Sequence, residues 1–197
     1  VARSLFFSRH FDEAYPLYGT IMHLLNLLSL NERILNSFLP EYNDILVYKS
    51  LIDFYNGDII RAKINHHNIS HSGKPMTYID KPLLLLLKSF IDLSEKKINA
   101  ACEEFQKVIE ETRQFGMNED YRVVFMYYEF ACWLDKYGYK IESDRYLKEG
   151  FSLALERGMD YFTKGKTSGV TIDDYRNNIE PFKALNVNLS YIEEKAE

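Results

Sequence analysis

The chain has 197 residues, of which 46% are hydrophobic and 15% aromatic. This composition suits a folded protein with one sizeable core or one short helical array, and it argues against disorder. With 24 basic and 29 acidic residues the net charge is −5, and no stretch concentrates the basic residues. We therefore expect no direct binding of nucleic acid by this segment, because phosphate contacts need clustered Lys and Arg.

Neither the cysteines nor the apolar runs indicate an extracellular or membrane protein. Cys102 and Cys132 each fall in an apolar helical stretch, without a second Cys or a His at metal-ligand spacing. Reduced, buried thiols in a cytoplasmic protein are the simplest interpretation. No run of about 18 apolar residues and no secretory signal is visible, so we expect no membrane partner. The helical pattern is already under way at Val1, which predicts a fragment whose first hairpin lacks the start of its first helix.

Four copies of a helical-hairpin pattern then follow one another along the chain. Each copy has a small residue in its first helix and another twelve positions later in its second, where small side chains let two helix axes approach closely. Recurrence at a few tens of residues is typical of a stacked helical array. The expected repeats cover residues 1–30, 31–72, 76–116 and 119–162. The small-residue pairs are Ala2 with Ala14, Ser50 with Ala62, Ser89 with Ala101, and Ala131 with Ser143.

The turns and the charge pairs lead to more local predictions. Gly57 and Gly138 precede the second small residue by five positions, which predicts a left-handed residue at the end of each first helix. Lys49 with Asp53, and Lys88 with Asp92, are oppositely charged pairs at i, i+4. We expect both pairs on a solvated helix face.

The hairpin pattern resembles the tetratricopeptide repeat family over roughly residues 1–158. The Gly-x-aromatic-x-x-Ala turn of that family has a counterpart in Gly57–Ala62, and Arg9–Ala14 carries it with Arg in place of Gly. The chain departs from the family in period, since its second-helix small residues lie 48, 39 and 42 residues apart against a usual repeat of about 34. The resemblance implies an all-α, TPR-like α-solenoid of about four helical hairpins plus a C-terminal helix.

The fourth copy has a second resemblance. The segment from Tyr146 to Phe162 is similar to the closing repeats of large LuxR-type regulators of the MalT kind. That likeness implies a sensor array that receives an inducer or an inhibitory protein, with DNA binding left to a separate domain.

Two polar segments interrupt or end the pattern. Residues 66–75 are predicted to be a loop between the second and third copies. Residues 163–197 are predicted to form a loop and a C-terminal capping or connector helix, with Thr171 and Asp174 capping a short helix and an amphipathic stretch over 181–197.

The sequence offers little for catalysis or for a cofactor. His66, His67 and His71 lack a companion Cys or an acidic His motif, so a solvated loop is the better interpretation than a metal site. The Gly165–Thr167 segment imitates the end of a phosphate-binding loop, but Asp160 stands where the motif needs its first Gly. We expect no catalytic residue, no metal and no cofactor.

Surface recognition therefore remains as the expected activity. In the tetratricopeptide arrangement the first helices line a concave groove, although aromatic residues at helical spacing more often belong to a core. The groove would take a protein or peptide, or a small effector. The candidates are Val47, Leu51, Phe54 and Tyr55 in copy two, Leu86, Phe90 and Leu93 in copy three, and Phe125, Tyr128, Cys132 and Asp135 in copy four.

Two functional hypotheses follow from this. The first is a non-catalytic sensor or interaction module of a larger intracellular, bacterial transcriptional regulator, in contact with neighbouring domains of the same chain. The second is a passive scaffold or oligomerisation module. An enzyme is the least favoured class, because no convergent set of ionisable groups is apparent.

Overall fold

The computed structural model describes residues 1–7, 9–28, 32–72, 76–77, 80–114, 116 and 121–176, without the side chains of 4 and 28–41. All regular structure in these ranges is helical and none is a strand, which confirms the all-α prediction. None of the described helices combines the length and the apolar character needed to cross a bilayer. The helices are α1 Ala2–Phe7, α2 Phe11–Leu28, α3 Glu32–Tyr55, α4 Ile59–His71, α5 Lys81–Ser94, α6 Ile98–Gln114, α7 Tyr121–Lys136, α8 Lys140–Glu156, α9 Asp160–Thr163 and α10 Ile172–Arg176.

The first eight helices pack as four successive hairpins, α1 with α2, α3 with α4, α5 with α6, and α7 with α8. The small residues lie where each pair meets: Ala14, Ala62 and Ala101 have no exposed surface. In the fourth hairpin the Ser143 hydroxyl donates a hydrogen bond to the Ala131 carbonyl, 2.8 Å away across the two helices. The predicted close approach is thus confirmed for the pair in the fourth hairpin.

One backbone motif ends the first helix of each hairpin and also ends α8. The second residue after the helix is left-handed, with φ of 87° at Gly138. Its N–H donates to the Asp135 carbonyl at 2.9 Å, and the Tyr139 N–H donates to the Leu134 carbonyl at 2.9 Å. These two bonds define a Schellman cap, which satisfies carbonyls that the helix leaves unpaired. The left-handed residues are Arg9, Gly57, Lys96, Gly138 and Gly158.

The predicted loop over residues 66–75 is wrong as far as His71, because α4 continues through His66, His67 and His71. The Asp58 side chain accepts a hydrogen bond from the Arg61 N–H at 3.1 Å and so caps the start of this helix. No Gly or Pro interrupts the helix, and Ile69 in its last turns is buried in the core. Residues 73–75 lie outside the described ranges.

The predicted solvated face for the two Lys–Asp pairs is also wrong, since Asp53 and Asp92 are both buried. Lys88 does bind Asp92 within its own helix. Asp53 instead accepts a hydrogen bond at 2.9 Å from the Tyr15 hydroxyl of the first hairpin. The ammonium of Lys49 lies 4.0 Å from the centre of the Tyr15 ring. The neighbouring hairpin therefore covers the last turn of α3, which i, i+4 spacing alone does not reveal.

The first helices of all four hairpins converge on a shared aromatic core. Phe54 of α3 lies 5.6 Å from Phe90 of α5 and 4.7 Å from Trp133 of α7, measured between ring centroids. Phe6 of α1 lies 5.6 Å from Phe125 of α7, so the first hairpin contacts the fourth directly. Burial of rings of this size is favourable by about 1.5–3 kcal/mol each, and edge-to-face pairs add to it.

The segment after α8 folds back onto the fourth hairpin. Thr171 and Asp174 cap α10 reciprocally, with the Thr171 N–H 2.8 Å from the Asp174 carboxylate and the Asp174 N–H 3.1 Å from the Thr171 hydroxyl. This confirms the predicted cap of a short helix. Tyr175 of α10 is buried, with its ring 4.9 Å from that of Tyr128 in α7. The amphipathic stretch 181–197 lies outside the described residues.

Candidate functional site

Most of the residues predicted to line a groove are core residues. Nine of them are buried; Cys132 lines the pocket described below, and the other eight lie in the hydrophobic core. As ligand contacts these eight must be corrected, because the converging aromatic rings fill the space that the groove would occupy. They are Val47, Leu51, Phe54, Leu86, Phe90, Leu93, Phe125 and Tyr128. Tyr55 and Asp135 are half-buried.

Tyr55 belongs to a cavity of about 490 Å³ where the first hairpin meets α3, α7 and α10, which we call the junction pocket. Its volume falls in the range of small-molecule sites, about 300–1,000 Å³. Cys132, also a groove candidate, contributes to the wall, and Asp135 lies beside it against Arg176. The lining residues are Arg9, Phe11, Tyr55, Asn56, Glu129, Cys132, Trp133, Lys136 and Arg176.

One wall of the junction pocket is a row of stacked aromatic rings. Phe11 and Tyr55 stack with centroids 4.4 Å apart and planes 18° from parallel. Tyr55 and Trp133 continue the row at 5.9 Å and 16°. The three rings come from three different hairpins, and the Schellman cap at Arg9 sets the direction in which Phe11 enters. The wall therefore presents a row of aromatic edges, and it depends on the packing of three hairpins against one another.

The floor of the junction pocket holds a buried carboxylate. Glu129 on α7 is 1% exposed and pairs with the Arg9 guanidinium. The Tyr175 hydroxyl donates a hydrogen bond to the same carboxylate at 2.7 Å. Burial and the negative charge of Glu129 together raise the pKa of Tyr175 well above its usual value, so the phenol stays a donor. The floor thus has its charge and its hydrogen bonds satisfied internally.

The rim carries two further cations. The Lys136 ammonium lies 4.0 Å from the centre of the Trp133 ring, a cation–π distance. Arg176 donates a hydrogen bond to the Cys132 carbonyl at 2.8 Å and lies 3.8 Å from the Asp135 carboxylate. Partial burial and the positive charge of Arg176 lower the pKa of Lys136. The rim is therefore electropositive although the chain is acidic overall.

The thiol and the acidic groups near the junction pocket have defined chemical properties. Burial, and then the charge of Glu129, raise the pKa of the Cys132 thiol to about 12, so it is not an activated nucleophile. Among the described residues no three His, Cys, Asp or Glu side chains are grouped as metal ligands. His67 and His71 stack on each other, with centroids 4.1 Å apart on the outside of α4.

Sequence reasoning missed most of this pocket, since Arg9, Glu129, Trp133, Lys136 and Arg176 were not among the candidates. One indication was present: Arg9 stands where the tetratricopeptide turn has Gly, and it adopts φ of 65°. A long side chain in a strained backbone conformation points to a contact that compensates for the strain. No spacing pattern, however, links Arg9 to Glu129, which are 120 residues apart.

Comparison of the chain with protein families, with curated proteins and with solved structures finds no match.

Proposed function

We propose that this chain is a non-catalytic, TPR-like helical-repeat module that binds a ligand at the junction pocket and serves as the sensing or interaction segment of a larger transcriptional regulator. The single observation that carries the proposal is the position of the pocket. Its lining comes from the turn of the first hairpin, the ends of α3 and α7, and α10. A ligand there touches elements from both ends of the described chain.

This position supports a sensing role rather than simple storage of a ligand. Arg9 reaches the pocket from the first hairpin and Arg176 from the segment that follows the fourth. A ligand that contacts both holds the first hairpin against α7 and α10. If the first hairpin can dock on α7 and α10 in two arrangements, the ligand changes their relative populations only when it binds one arrangement more tightly than the other. Neighbouring domains would then respond to the arrangement that the ligand favours.

The non-catalytic part of the proposal is supported by the chemistry of the pocket. Its buried carboxylate, Glu129, is already paired with Arg9 and hydrogen bonded to Tyr175. Its thiol, Cys132, is held protonated by burial. Neither group is poised to exchange a proton or to attack a bound molecule.

A thermal-shift screen with a blocked pocket tests this proposal. The compounds are anionic, neutral and cationic aromatic small molecules together with short peptides. At least one class should raise the melting temperature, since a ligand that binds only the folded state stabilises it. Asn56→Phe should abolish the shift, because Asn56 is exposed at the pocket. Asn99→Phe, an exposed asparagine on α6 outside the pocket, is the matched control and should keep it.

Two results would contradict the proposal. One is a screen without any stabilising compound, and the other is a shift that Asn56→Phe leaves unchanged. Mass spectrometry of the recovered compound distinguishes binding from turnover, and a chemically altered compound would indicate an enzyme.

The alternative, a scaffold or oligomerisation module, is favoured by one specific feature. The outer face of α2 exposes four apolar side chains at helical spacing, Leu17, Ile21, Leu24 and Leu27. A contiguous apolar stripe of this kind is typical of a protein contact. Light scattering would support the alternative if the chain self-associates and Leu24→Asp makes it monomeric while pocket variants have no effect.

A further inference from the structure

We infer that the ligand of the junction pocket is a small organic anion, a carboxylate carried on a flat apolar body. This inference rests on the proposed function and names the chemical class that the pocket selects. It joins two independent properties of the pocket, its charge and its aromatic wall.

The charge of the lining favours an anion. Three cations, Arg9, Lys136 and Arg176, face a single lining carboxylate, Glu129. Glu129 is paired with Arg9 and Arg176 with Asp135, which leaves Lys136 as the lining cation without a carboxylate partner among the described residues. Lys136 makes no ion pair within the described part of the chain. Arg176 lies 3.8 Å from Asp135, longer than the about 2.7–2.9 Å of a charge-assisted hydrogen bond. Both therefore retain donors for an added carboxylate.

The electrostatic surroundings strengthen this selection. Partial burial, and then the positive charge of Arg176, lower the pKa of Lys136, so the two cations repel each other at the rim. A bound anion relieves this repulsion, whereas a bound cation increases it. On a chain of net charge −5 the pocket is thus a local exception, and it attracts the class of ligand that the rest of the surface repels.

The aromatic wall sets the shape of the rest of the ligand. Phe11, Tyr55 and Trp133 form a continuous row of nearly parallel rings, with interplanar angles of 18° and 16°. Because the rings cover one another's faces, the side of the row presents ring edges, and the face of a flat aromatic group placed on these edges makes edge-to-face contacts worth about 0.5–1.5 kcal/mol beyond area burial. The Lys136 ammonium at 4.0 Å from the Trp133 ring places positive charge directly beside this wall. The anionic end of a ligand would therefore lie at the rim and its flat body along the wall.

The test uses three probes with one carbon skeleton and three charges: hydrocinnamate, hydrocinnamamide and phenylpropylamine. Trp133 is the single tryptophan of the chain, so its fluorescence reports on the pocket alone. Hydrocinnamate should change this fluorescence saturably and bind about tenfold more tightly than its amide, as one charged hydrogen bond predicts. The cationic amine should bind least. Added salt should weaken the binding of hydrocinnamate but not of the amide.

Two lysine variants locate the charge selection. Lys136→Gln should weaken hydrocinnamate binding about tenfold and leave the amide unchanged. Lys148→Gln removes the same charge from an exposed position on α8 outside the pocket and should have no effect. Lys136 lies against the Trp133 ring, so its substitution also changes the environment of the fluorophore. Arg176→Gln, at the other side of the rim, tests the effect of lost positive charge while the Lys136 ammonium stays in place.

The outcomes separate this inference from the proposed function. If the amide or the amine binds as tightly as hydrocinnamate, the pocket binds ligands but does not select anions, and only the inference falls. If all three probes leave Trp133 fluorescence unchanged, the inference falls and the pocket loses its support as the binding site.

Discussion

The turns of the first and the third hairpin have the same backbone and opposite surroundings. Arg9 and Lys96 both adopt a left-handed conformation, with φ of 65° and 60°, where the second and fourth hairpins have Gly. The Arg9 side chain crosses to the fourth hairpin and pairs with buried Glu129. Lys96 is exposed and makes no ion pair within the described residues. One strained residue therefore supports a contact across the molecule, and the other supports none.

This difference shows how a repeat position acquires a specific role. A non-glycine residue in the left-handed region costs about 1–2 kcal/mol. At Lys96 that cost has no visible compensation. At Arg9 the same cost is offset by charge pairing at the floor of the junction pocket. The departure from the repeat pattern at Arg9 thus marks the part of the molecule where tertiary contacts outweigh local preference.

The largest effect is expected from Arg9→Gly. The substitution relieves backbone strain, but it leaves the Glu129 carboxylate buried beside the Tyr175 hydroxyl without its cationic partner. Loss of one member of a buried pair costs about 3–5 kcal/mol, and relief of strain returns about 1 kcal/mol. We expect a net loss of about 2–4 kcal/mol in the free energy of unfolding, measured by urea denaturation. An unchanged or increased stability would remove the proposed role of Arg9.

A double-mutant cycle with Glu129→Gln sharpens this result. If the cost at Arg9 arises from the stranded carboxylate, Arg9→Gly should be much less harmful once Glu129 is neutral. The coupling free energy between the two positions should be at least about 1.5 kcal/mol, the size found for close charge pairs. Additive effects of the two substitutions would mean that the pair is not the reason for retaining Arg9.

Gly138→Ala measures the free-energy cost of a non-glycine residue in the left-handed conformation, at a position where the added side chain makes no contact. Gly138 has φ of 87°, and an added Cβ would meet no other atom within 4 Å. We therefore expect a loss of about 1 kcal/mol from strain alone, seen as a lower urea midpoint with an unchanged m-value. A change in m-value would indicate that the turn had rearranged instead of absorbing the strain.

Lys96→Gly is expected to have the smallest effect, and it is the one substitution in this series expected to increase stability. This change removes the strain of the third turn and sacrifices no described ion pair, so it should stabilise the chain by about 0.5–1 kcal/mol. Thermal unfolding monitored by circular dichroism measures it. A loss of stability would reveal a contribution of Lys96 that its exposed position does not suggest, and would weaken the contrast with Arg9.

The sequence predicted the elements that depend on short-range rules. Paired small residues such as Ala131 and Ser143 located the hairpins, and Gly57 and Gly138 located left-handed caps. These features were predictable because a turn or a close approach constrains residues within about one hairpin. The buried state of Asp53 was not predictable, since its cover comes from Tyr15 in another hairpin.

The candidate site was predictable only in part, for a related reason. Tyr55 and Cys132 were identified because they lie on the inner faces of first helices. The remaining apolar groove candidates are core residues, in a core where Phe6 of the first hairpin packs on Phe125 of the fourth. A repeat pattern in the sequence predicts contacts between adjacent repeats only. It does not predict a contact between the first and the last copy. The pocket formed at that contact could be found only in three dimensions.

A crystal structure of the chain with para-bromohydrocinnamate would show where an aromatic carboxylate binds, because anomalous scattering from bromine locates the ligand without ambiguity. We expect a bromine peak in the junction pocket along the Phe11–Trp133 wall, with the carboxylate near Lys136 and Arg176. A bromine peak on the exposed face of α2 would mean that the junction pocket is not the binding site. So would an empty pocket in crystals soaked at a saturating concentration of the ligand.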